Sequence, residues 1–330
     1  MSALFRAAIA APAAIAVLAV AMMSTAAIAQ PYPSKPLRVV TPFPPGSGPD
    51  TVLRLVTDRM QRALGQTMVV ENRVGANGLI AAEQVKRAPA DGYTLLQFDD
   101  AMIAANPFLY KKLPYDSAKD FEPVGTLFQT YFFVVVATNS PWKSMSDLLA
   151  AAKAKQGKVT HGTWGIGSVG HLGMLQFETV TGLEFTHVPF QRVVDVYPAV
   201  GSGDVDWAFG SIASSGAMFR AGKVRYLAAA ASKRIAGFTD IPTIAESGGP
   251  ANFDTRAWVA LLVPRGVPAE IVARLGSENA KAQADPEVRE KLAAIGFEPY
   301  AVGPAETNRL IEQAQKRFGD IIQRAKISLD

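Results

Sequence analysis

Histidine, serine and cysteine most often carry metal or nucleophilic chemistry, and their pattern here argues against both. His161, His171 and His187 lie in one short segment, but they show neither the HxH nor the HExxH spacing of a zinc site. The chain has no cysteine, so it has no thiolate ligand, thiol nucleophile or disulfide. Ser168 lacks the glycine two positions before it that a GxSxG nucleophile elbow requires. The sequence therefore predicts no catalytic residue, no metal site and no cofactor.

The most informative loop joins the first predicted strand to the first predicted helix. Its prolines stiffen the backbone, while its glycines permit unusual backbone angles. The amides of Gly46, Ser47 and Gly48 could converge at the helix N-terminus, where the helix dipole favours an anion. A turn in which Ser47 or Asp50 caps the helix explains the same residues, and both interpretations can hold. The predicted binding residues of this loop are Phe43, Pro44, Pro45, Gly46, Ser47 and Gly48.

A second glycine-rich loop, Gly165-Ile166-Gly167-Ser168-Val169-Gly170, also follows a predicted strand and opens a helix. It satisfies the GxGxxG fingerprint of dinucleotide-binding folds. The acidic residue that should bind a ribose is poorly placed, with Glu184 as the nearest candidate. We therefore interpret the loop as a second cradle of amides, with the Ser168 hydroxyl, at a helix N-terminus. Two such cradles would hold a carboxylate through neutral hydrogen bonds and helix charges, which suits a receptor that must release its ligand.

Asp99 and Asp100 follow the third predicted strand, at the sheet edge where ligands of α/β folds gather. The paired acids could form a metal site, cap the following helix, or meet Arg192 or a cationic group of the ligand. Capping is the most frequent of these roles. Aromatic residues concentrate near predicted loops, and a pocket lined by some of them would suit an apolar or aromatic carboxylate. These residues are Phe98, Tyr131, Phe132, Trp164, Phe190, Trp207 and Phe209.

Residues 1–29 have the pattern of a cleavable export signal. Arg6 supplies the positive start, an apolar run follows from Ala7 to Met22, and Ala27-Ile28-Ala29 is a small-x-small cleavage site that would leave Gln30 first. Without cysteine, no lipid can be attached through one. The formal charge of +4 falls to +3 when Arg6 is removed, and Lys and Arg are scattered, which argues against nucleic-acid binding. We expect a freely diffusing, monomeric periplasmic protein.

From Leu37 onwards, short β-rich segments alternate with helical patterns, which is typical of βαβ units on a parallel sheet. The long apolar runs Tyr131 to Ala137 and Ala257 to Val263 bracket a second alternation of the same kind. We therefore expect two α/β lobes, residues 30–130 plus 256–330 and residues 131–255, joined by two crossing strands. A cleft between such lobes is a ligand site that can close by a hinge.

Short motifs stand in a fixed order along essentially the whole predicted mature chain. They are Tyr32-Pro33-Ser34-Lys35-Pro36, the Pro42 to Asp50 loop, Glu71-Asn72-Arg73, Ala90-Asp91-Gly92-Tyr93, Asn106-Pro107, Leu113-Pro114-Tyr115-Asp116, His187-Val188-Pro189-Phe190, Gly222-Lys223-Val224-Arg225, Ile241-Pro242-Thr243 and Pro286-Glu287-Val288-Arg289. In this order they resemble the Bug family of periplasmic solute-binding receptors, the extracytoplasmic component of tripartite tricarboxylate transporters. So many ordered matches are far more specific than any single motif.

The resemblance implies a type II periplasmic-binding fold whose two lobes close on a carboxylate held largely by loop amides and ordered waters. The family's first binding loop maps onto Phe43 to Gly48, and its second onto Gly165 to His171. Further loops after Phe98, around Phe190 to Arg192, and at Phe209 to Ser211 complete the pocket. Besides those of the first loop, the predicted binding residues are Asp99, Asp100, Ala101, Trp164, Gly167, Ser168, Val169, Gly170, His171, Phe190, Arg192, Phe209, Gly210 and Ser211.

Charged residues in the predicted pocket depart from the family's usual pattern. Asp99-Asp100 stands where small hydroxyl residues are usual, and Gln191-Arg192 replaces a lysine-glycine pair. Arg192 could grip a distal carboxylate of the ligand or be neutralised by Asp100. The leading hypothesis is capture of a small carboxylate and its delivery to the membrane subunits of a tripartite tricarboxylate-type transporter. The alternative is a ligand sensor of the same fold that signals to a histidine kinase. An exported hydrolase or dehydrogenase would need a catalytic group that the sequence does not reveal.

Overall fold

Two mixed β-sheets organise the protein. The structure is a computed structural model that describes residues 32–251 and 253–329. Contacts divide the chain into Met1–Ser34 and Lys35–Asp330, and both sheets belong to the second unit. The predicted export signal lies outside the described residues. Among the residues that are described, no helix is both long and apolar enough to cross a membrane.

The strands alternate with helices along most of the chain, as the sequence predicts. In chain order, the strands are β1 (Leu37–Thr41), β2 (Met68–Asn72), β3 (Thr94–Asp99), β4 (Phe121–Tyr131), β5 (Phe133–Ala137), β6 (Thr160–Thr163), β7 (Thr186–Pro189), β8 (Trp207–Gly210), β9 (Val224–Ala229), β10 (Arg256–Pro264) and β11 (Phe297–Pro299). The helices are α1 (Gly48–Leu64), α2 (Leu79–Lys86), α3 (Asp100–Ala104), α4 (Asn106–Leu109), α5 (Ser117–Asp120), α6 (Met145–Lys155), α7 (Val169–Thr181), α8 (Val193–Ser202), α9 (Ile212–Arg220), α10 (Ala269–Ala284), α11 (Pro286–Ala294) and α12 (Pro304–Ala325).

The first sheet has the strand order β11-β4-β10-β3-β1-β2, and the second has the order β7-β6-β8-β5-β9. Strands β1, β2 and β3 run parallel, and so do β6, β7 and β8, whereas β10 and β5 pair antiparallel to their neighbours. Helices follow the parallel strands, so the loops after β1, β3, β6 and β8 leave the carboxyl edges of the sheets. Those edges are where α/β sheets bind ligands.

Helix α1 shows why these elements form where they do. Val52, Val56 and Met60 recur at helical spacing and are fully buried, so one face of the helix packs on the first sheet. Gly65 ends the helix in the left-handed conformation at φ 70°, which suits a residue without a side chain. The observed helix starts at Gly48, the last residue of the first predicted binding loop.

The chain passes between the two sheets twice. It leaves the first sheet at Tyr131, crosses at Phe132 and enters the second sheet in β5. The return crossing is made after β9 by residues outside regular strands, because β10 lies wholly in the first sheet. Ala230 N donates to the Phe132 carbonyl at 2.8 Å, and Thr255 N donates to the Ala230 carbonyl at 3.1 Å. Two crossings are therefore present and are bonded to each other, while the lobe boundaries remain a prediction.

Strand β4 and helix α9 had no counterpart in the sequence prediction. Pro123 and Gly125 interrupt β4, and its pairing with β10 shifts register twice, which skips Val124 and Leu127. Such bulges hide the alternation of a strand. Helix α9 contains serines and a glycine of low helix propensity, but Ser211 and Ser214 form a capping box that satisfies its first turn.

Candidate functional site

Loops from the two lobes meet at the carboxyl edges of the parallel strands. A Cβ placed on Gly48, at the start of α1, would lie 3.1 Å from Ala213 in α9 and 2.7 Å from the Phe297 ring. A Cβ on Gly167 of the second loop would overlap with the Leu109 side chain of α4. The first lobe thus touches the second at these places among others, and glycine permits both approaches.

The first predicted loop is bonded within itself. Gly46 N donates to Asp50 Oδ2 at 2.8 Å, and the Ser47 amide and hydroxyl both donate to the Pro44 carbonyl, at 3.1 and 2.7 Å. Both amides that were predicted to converge on an anion are therefore hydrogen bonded within the loop, and their contact with a ligand stays a prediction. Ser47 occupies the N-cap position of α1 without a side-chain cap bond. The partly exposed Phe43 and the exposed Pro45 complete the loop.

Asp50 fixes the conformation of the first loop. Its buried carboxylate also accepts from Arg54 Nε at 3.0 Å and from Asn72 Nδ2 at 2.7 Å. The Asn72 amide in turn donates to the Phe43 carbonyl at 2.8 Å. Burial by itself raises the Asp50 pKa, but the hydrogen bonds from Arg54, Asn72 and Gly46 outweigh it and hold that pKa below its usual value. Asp50 therefore stays ionised and fixes both ends of the loop.

The second predicted loop is also internally bonded. Ser168 caps α7: its Oγ accepts from His171 N at 3.3 Å and donates to the Gly165 carbonyl at 2.7 Å. Gly167 N donates to His171 Nδ1 at 3.1 Å. The Ser168 hydroxyl proton is therefore committed to the loop, contrary to its expected part in the cradle. Helix geometry leaves the amides of Val169 and Gly170, in the first turn of α7, without intrahelical acceptors.

His171 takes part as a neutral acceptor. Burial, together with the His187 ring stacked at 4.0 Å, lowers the His171 pKa to about 3. His187 contacts Thr163 Oγ1 at 2.6 Å, and the fully buried His161 lies against Trp207, with ring centroids 4.2 Å apart. Within the described ranges, no group of three or more histidine, aspartate or glutamate side chains is arranged to hold a metal ion. Each of the three histidines is thus packed against a neighbouring side chain of the second lobe.

Trp164 links the second loop to the crossing between the lobes. A Cβ on Gly170 would lie 2.7 Å from Trp164 Cζ3, so the indole ring covers the first turn of α7 closely. On its other side Trp164 stacks with Phe132, with ring centroids 6.0 Å apart. Phe132 is the residue at which the chain crosses from the first sheet to the second. Ring contacts therefore connect this crossing to the second loop.

Asp99 caps helix α3, the most frequent of the roles considered for it. Its Oδ1 accepts from Met102 N at 2.7 Å. Burial raises the Asp99 pKa to about 6, although the backbone hydrogen bonds of the helix N-terminus oppose the shift. Ala101, also a predicted binding residue, is buried in the first turn of the same helix.

Asp100 and Arg192 do not meet, which corrects one of the two roles expected for Arg192. Asp100 is fully buried, and its Oδ2 lies 3.5 Å from Nη2 of Arg317 in α12. Its Oδ1 has no hydrogen-bond partner among the described residues. Burial raises the Asp100 pKa to about 8, which the Arg317 charge opposes. Arg192 is exposed and forms a bidentate pair with Asp195, at 2.8 and 2.6 Å.

The loop after β8 leads directly into helix α9. Phe209 is buried in the core of the second lobe, where its ring stacks on Phe253 with ring centroids 6.0 Å apart, and its contact with a ligand stays a prediction. A Cβ on Gly210 would lie 2.7 Å from the Tyr197 ring, which leaves no room for a side chain there. Ser211 caps α9. Phe190 is partly exposed.

Several residues at the site were missed by reasoning from sequence. Leu109, Ala213 and Arg317 reach it from other parts of the chain, and none of the three belongs to a predicted binding loop. Asn72 belongs to a motif that supported the family resemblance, and its place beside a proline- and glycine-rich loop could have marked it as a loop brace.

Comparison with known proteins identifies the family. The profile described as "Tripartite tricarboxylate transporter family receptor" matches residues 52–327. The chain belongs to this receptor family. The resemblance to Bug proteins is confirmed, since the receptor is 30% identical over 317 residues to Protein BugT of Bordetella pertussis, covering 93% of this chain and 96% of BugT.

Solved structures of similar proteins confirm the two-lobe periplasmic-binding fold. Rpa4515 of R. palustris, solved with adipate, matches with a TM-score of 0.82 and 32% identity over 90% of the receptor and 99% of that chain. MatC of Rhodopseudomonas palustris, solved with bound malate, matches with a TM-score of 0.78 and 31% identity over 88% of the receptor and 100% of that chain.

Replacing Asp50 by asparagine tests the brace of the first loop. The amide turns an NH₂ group towards donors, so we expect Asp50→Asn to lose about 1–3 kcal/mol of unfolding free energy at pH 7 in urea titrations. Because the folded pKa is depressed, the advantage of the carboxylate is present above its unfolded pKa and is lost as the pH falls through the folded value. Asp58→Asn, at an aspartate on the same helix that pairs with Arg62 at the surface, is the matched control. Equal losses in the two variants would contradict the role of Asp50.

Replacing Asp100 by asparagine tests the buried acid. Because burial raises the folded pKa to about 8, Asp100 contributes most below its unfolded pKa, and that contribution is lost as the pH rises through the folded value. We therefore expect wild type to lose stability relative to Asp100→Asn between about pH 4 and pH 8, by at most about 1.4 kcal/mol per pH unit. Urea unfolding across that range measures it. Parallel pH profiles of the two proteins would show that Asp100 titrates normally.

Proposed function

We propose that the protein captures a small carboxylate between its lobes by hinge closure and delivers it to a tripartite tricarboxylate-type membrane transporter. The observation that carries the proposal is the meeting of loops from both lobes at Gly48 with Ala213 and at Gly167 with Leu109. A ligand enclosed there contacts both lobes at once, so its binding energy favours closure. The protein releases its ligand unchanged.

Neutral donors and helix ends hold the carboxylate. Helices α1, α7 and α9 all begin at these loops, and each helix N-terminus carries partial positive charge. Arg192, the one cation among the predicted binding residues, is engaged by Asp195. His171 remains neutral because its pKa is about 3. First-turn amides such as those of Val169 and Gly170 are then the main donors, which permits ready release.

A dicarboxylate is the proposed ligand class. The adipate in Rpa4515 and the malate in MatC support it, because both proteins resemble the receptor over nearly its whole length. An aromatic carboxylate has less support, since Phe98, Trp207 and Phe209 are buried in the core. Trp164 and Phe190 are the partly exposed rings that lie beside the second loop.

The site of action is the periplasm. We propose that the export signal is cleaved after Ala29 and that the mature protein is a freely diffusing monomer. The family description supports a transporter as its partner.

Calorimetric titration of the purified mature protein tests ligand capture. The panel is adipate, malate, other aliphatic and aromatic mono- and dicarboxylates, and uncharged amides of the same acids. We expect at least one dicarboxylate to bind with micromolar or tighter affinity, about −8 kcal/mol, and its amide to bind much more weakly. The recovered ligand is chemically unchanged. Absence of binding across the panel, or turnover of a bound acid, would sink the proposal.

A matched pair of glycine variants tests closure separately. Gly48→Val places a side chain against Ala213 of the second lobe, as well as against Phe297 of its own lobe, so we expect at least about a tenfold loss of affinity. Gly303→Val is the control, because a Cβ there meets open space. Circular dichroism establishes that both variants fold. Unchanged affinity in folded Gly48→Val would contradict binding by closure.

A further inference from the structure

A cavity of about 290 Å³ opens in the first lobe, where helices α3, α5 and α12 meet strands β4 and β10. None of the residues that line it is among the predicted binding residues, and none comes from the predicted second lobe, residues 131–255. Pockets that bind small molecules start at about 300 Å³. The cavity is therefore of the size that holds one small molecule, and it is separate from the cleft.

The deep part of the cavity is apolar. Ile103 of α3, Phe121 of β4 and Leu262 of β10 line it, and each is at most 2% exposed. Ile311 of α12 adds a partly exposed apolar side chain. Burial of an apolar group against these side chains removes it from water, which favours binding. This part of the cavity suits an aliphatic group.

Ser117, in the first turn of α5, places one buried polar group in the wall of the cavity. The residue is 7% exposed, and its Oγ has no hydrogen-bond partner within residues 32–251 and 253–329. Native proteins leave few buried hydroxyl groups without a partner. A polar group that enters the cavity beside the aliphatic part supplies that partner.

Two opposite charges line the same cavity without pairing. Arg265 follows β10, and its Nη2 donates to the Ala118 carbonyl at 2.5 Å, which holds the guanidinium beside α5. Glu312 lines the cavity from α12. In the described part of the chain neither forms an ion pair, whereas Glu306 of the same helix pairs with Arg309 at 2.9 Å. A ligand with both a carboxylate and an ammonium group complements the two charges.

We propose that this cavity binds a small zwitterion with an apolar side chain, of the chemical class of the aliphatic α-amino acids. The ligand carboxylate accepts hydrogen bonds from Arg265 and from Ser117 Oγ, and its ammonium group donates to Glu312. Its side chain packs on Ile103 and Leu262. An anion without an ammonium group meets Glu312 unmatched, and a cation without a carboxylate meets Arg265 unmatched. The site is independent of the proposed capture of a carboxylate between the lobes.

Isoleucine methyl NMR of the purified mature protein locates the site. The signals of Ile103 and Ile311, assigned with isoleucine-to-valine variants, are followed as L-leucine is added. Ile166, in the second glycine-rich loop, reports on the cleft. We expect saturable shifts of the Ile103 and Ile311 signals with a Kd of at most about 1 mM, and none of the Ile166 signal. No shift of the first two signals up to about 20 mM, or shifts confined to Ile166, would overturn the site.

Two analogues of L-leucine test the charge pattern in the same titration. L-Leucinamide lacks the carboxylate, and N-acetyl-L-leucine lacks the ammonium group. We expect each to bind at least about tenfold more weakly than L-leucine, because each leaves one protein charge without its partner. Equal affinities of the three compounds would show that the cavity selects only the aliphatic group, contrary to the proposal.

Substitutions assign each group of the ligand to a residue. Glu312→Gln should remove the advantage of L-leucine over N-acetyl-L-leucine, and Arg265→Gln its advantage over L-leucinamide. Glu306→Gln, at a glutamate of α12 outside the cavity, is the matched control and should change neither ratio. Unchanged ratios in both cavity variants would contradict the assigned contacts.

Ser117→Ala guards against loss of folding in the charge variants. The Ser117 hydroxyl has no partner in the protein, so its removal leaves the fold intact. We expect this variant to weaken L-leucine binding by about threefold or more, as loss of one hydrogen bond does. Wild-type affinity in Ser117→Ala would overturn its role. Dicarboxylate binding in calorimetry should be unchanged in all these variants, so failure of the amino-acid site is distinguishable from failure of ligand capture.

Discussion

The hydrogen bonds between the two crossing segments are the constraint on which the rest of the structure depends. Ala230 donates to Phe132 and accepts from Thr255, so the outgoing and returning chains are joined at one point between the sheets. Lobes that are connected twice at one place can rotate about it but cannot separate. The stacking of Phe132 on Trp164 connects the crossing to the second loop. A hinge of this kind is a common way to close a protein on a ligand.

Both loops are held in shape by the protein itself. Asp50 bonds the first loop to Arg54 and Asn72, and Ser168 with His171 bonds the second loop to its own helix. Preformed loops lose little conformational entropy when a ligand arrives, so more of the contact energy appears as affinity. The same bonds consume the amides that the sequence offered as an anion cradle. The backbone amides that remain for the ligand are those in the first turn of each helix.

Local sequence patterns predicted most of the fold, but they did not predict contacts between residues that are far apart in the chain. The spacing of Val52, Val56 and Met60 is a property of one helix, so it can be read from one segment. The bulged strand β4 was not predicted from its pattern, because Pro123 and Gly125 break its alternation of apolar and polar residues. Periodicity says which face of an element is apolar, but not which other element covers it.

In the candidate site, too, local features were predicted and contacts between side chains were not. Glycine marked both loops and proline the first, because these residues indicate unusual backbone conformations at their own positions. The partners of the charged residues were not predicted. Asp100 pairs with Arg317, more than two hundred residues away, and Arg192 pairs with Asp195, three residues away. Phe209 ends a strand at the predicted pocket, yet its ring lies in the core, since alternate residues of a strand point to opposite faces.

A crystal structure of the mature protein grown with adipate or malate is the most direct test of capture between the lobes. The account predicts electron density for the carboxylate between the Phe43 to Gly48 and Gly165 to His171 loops, with Leu109 against Gly167. A ligand bound elsewhere, or bound between lobes that stay apart, would contradict it.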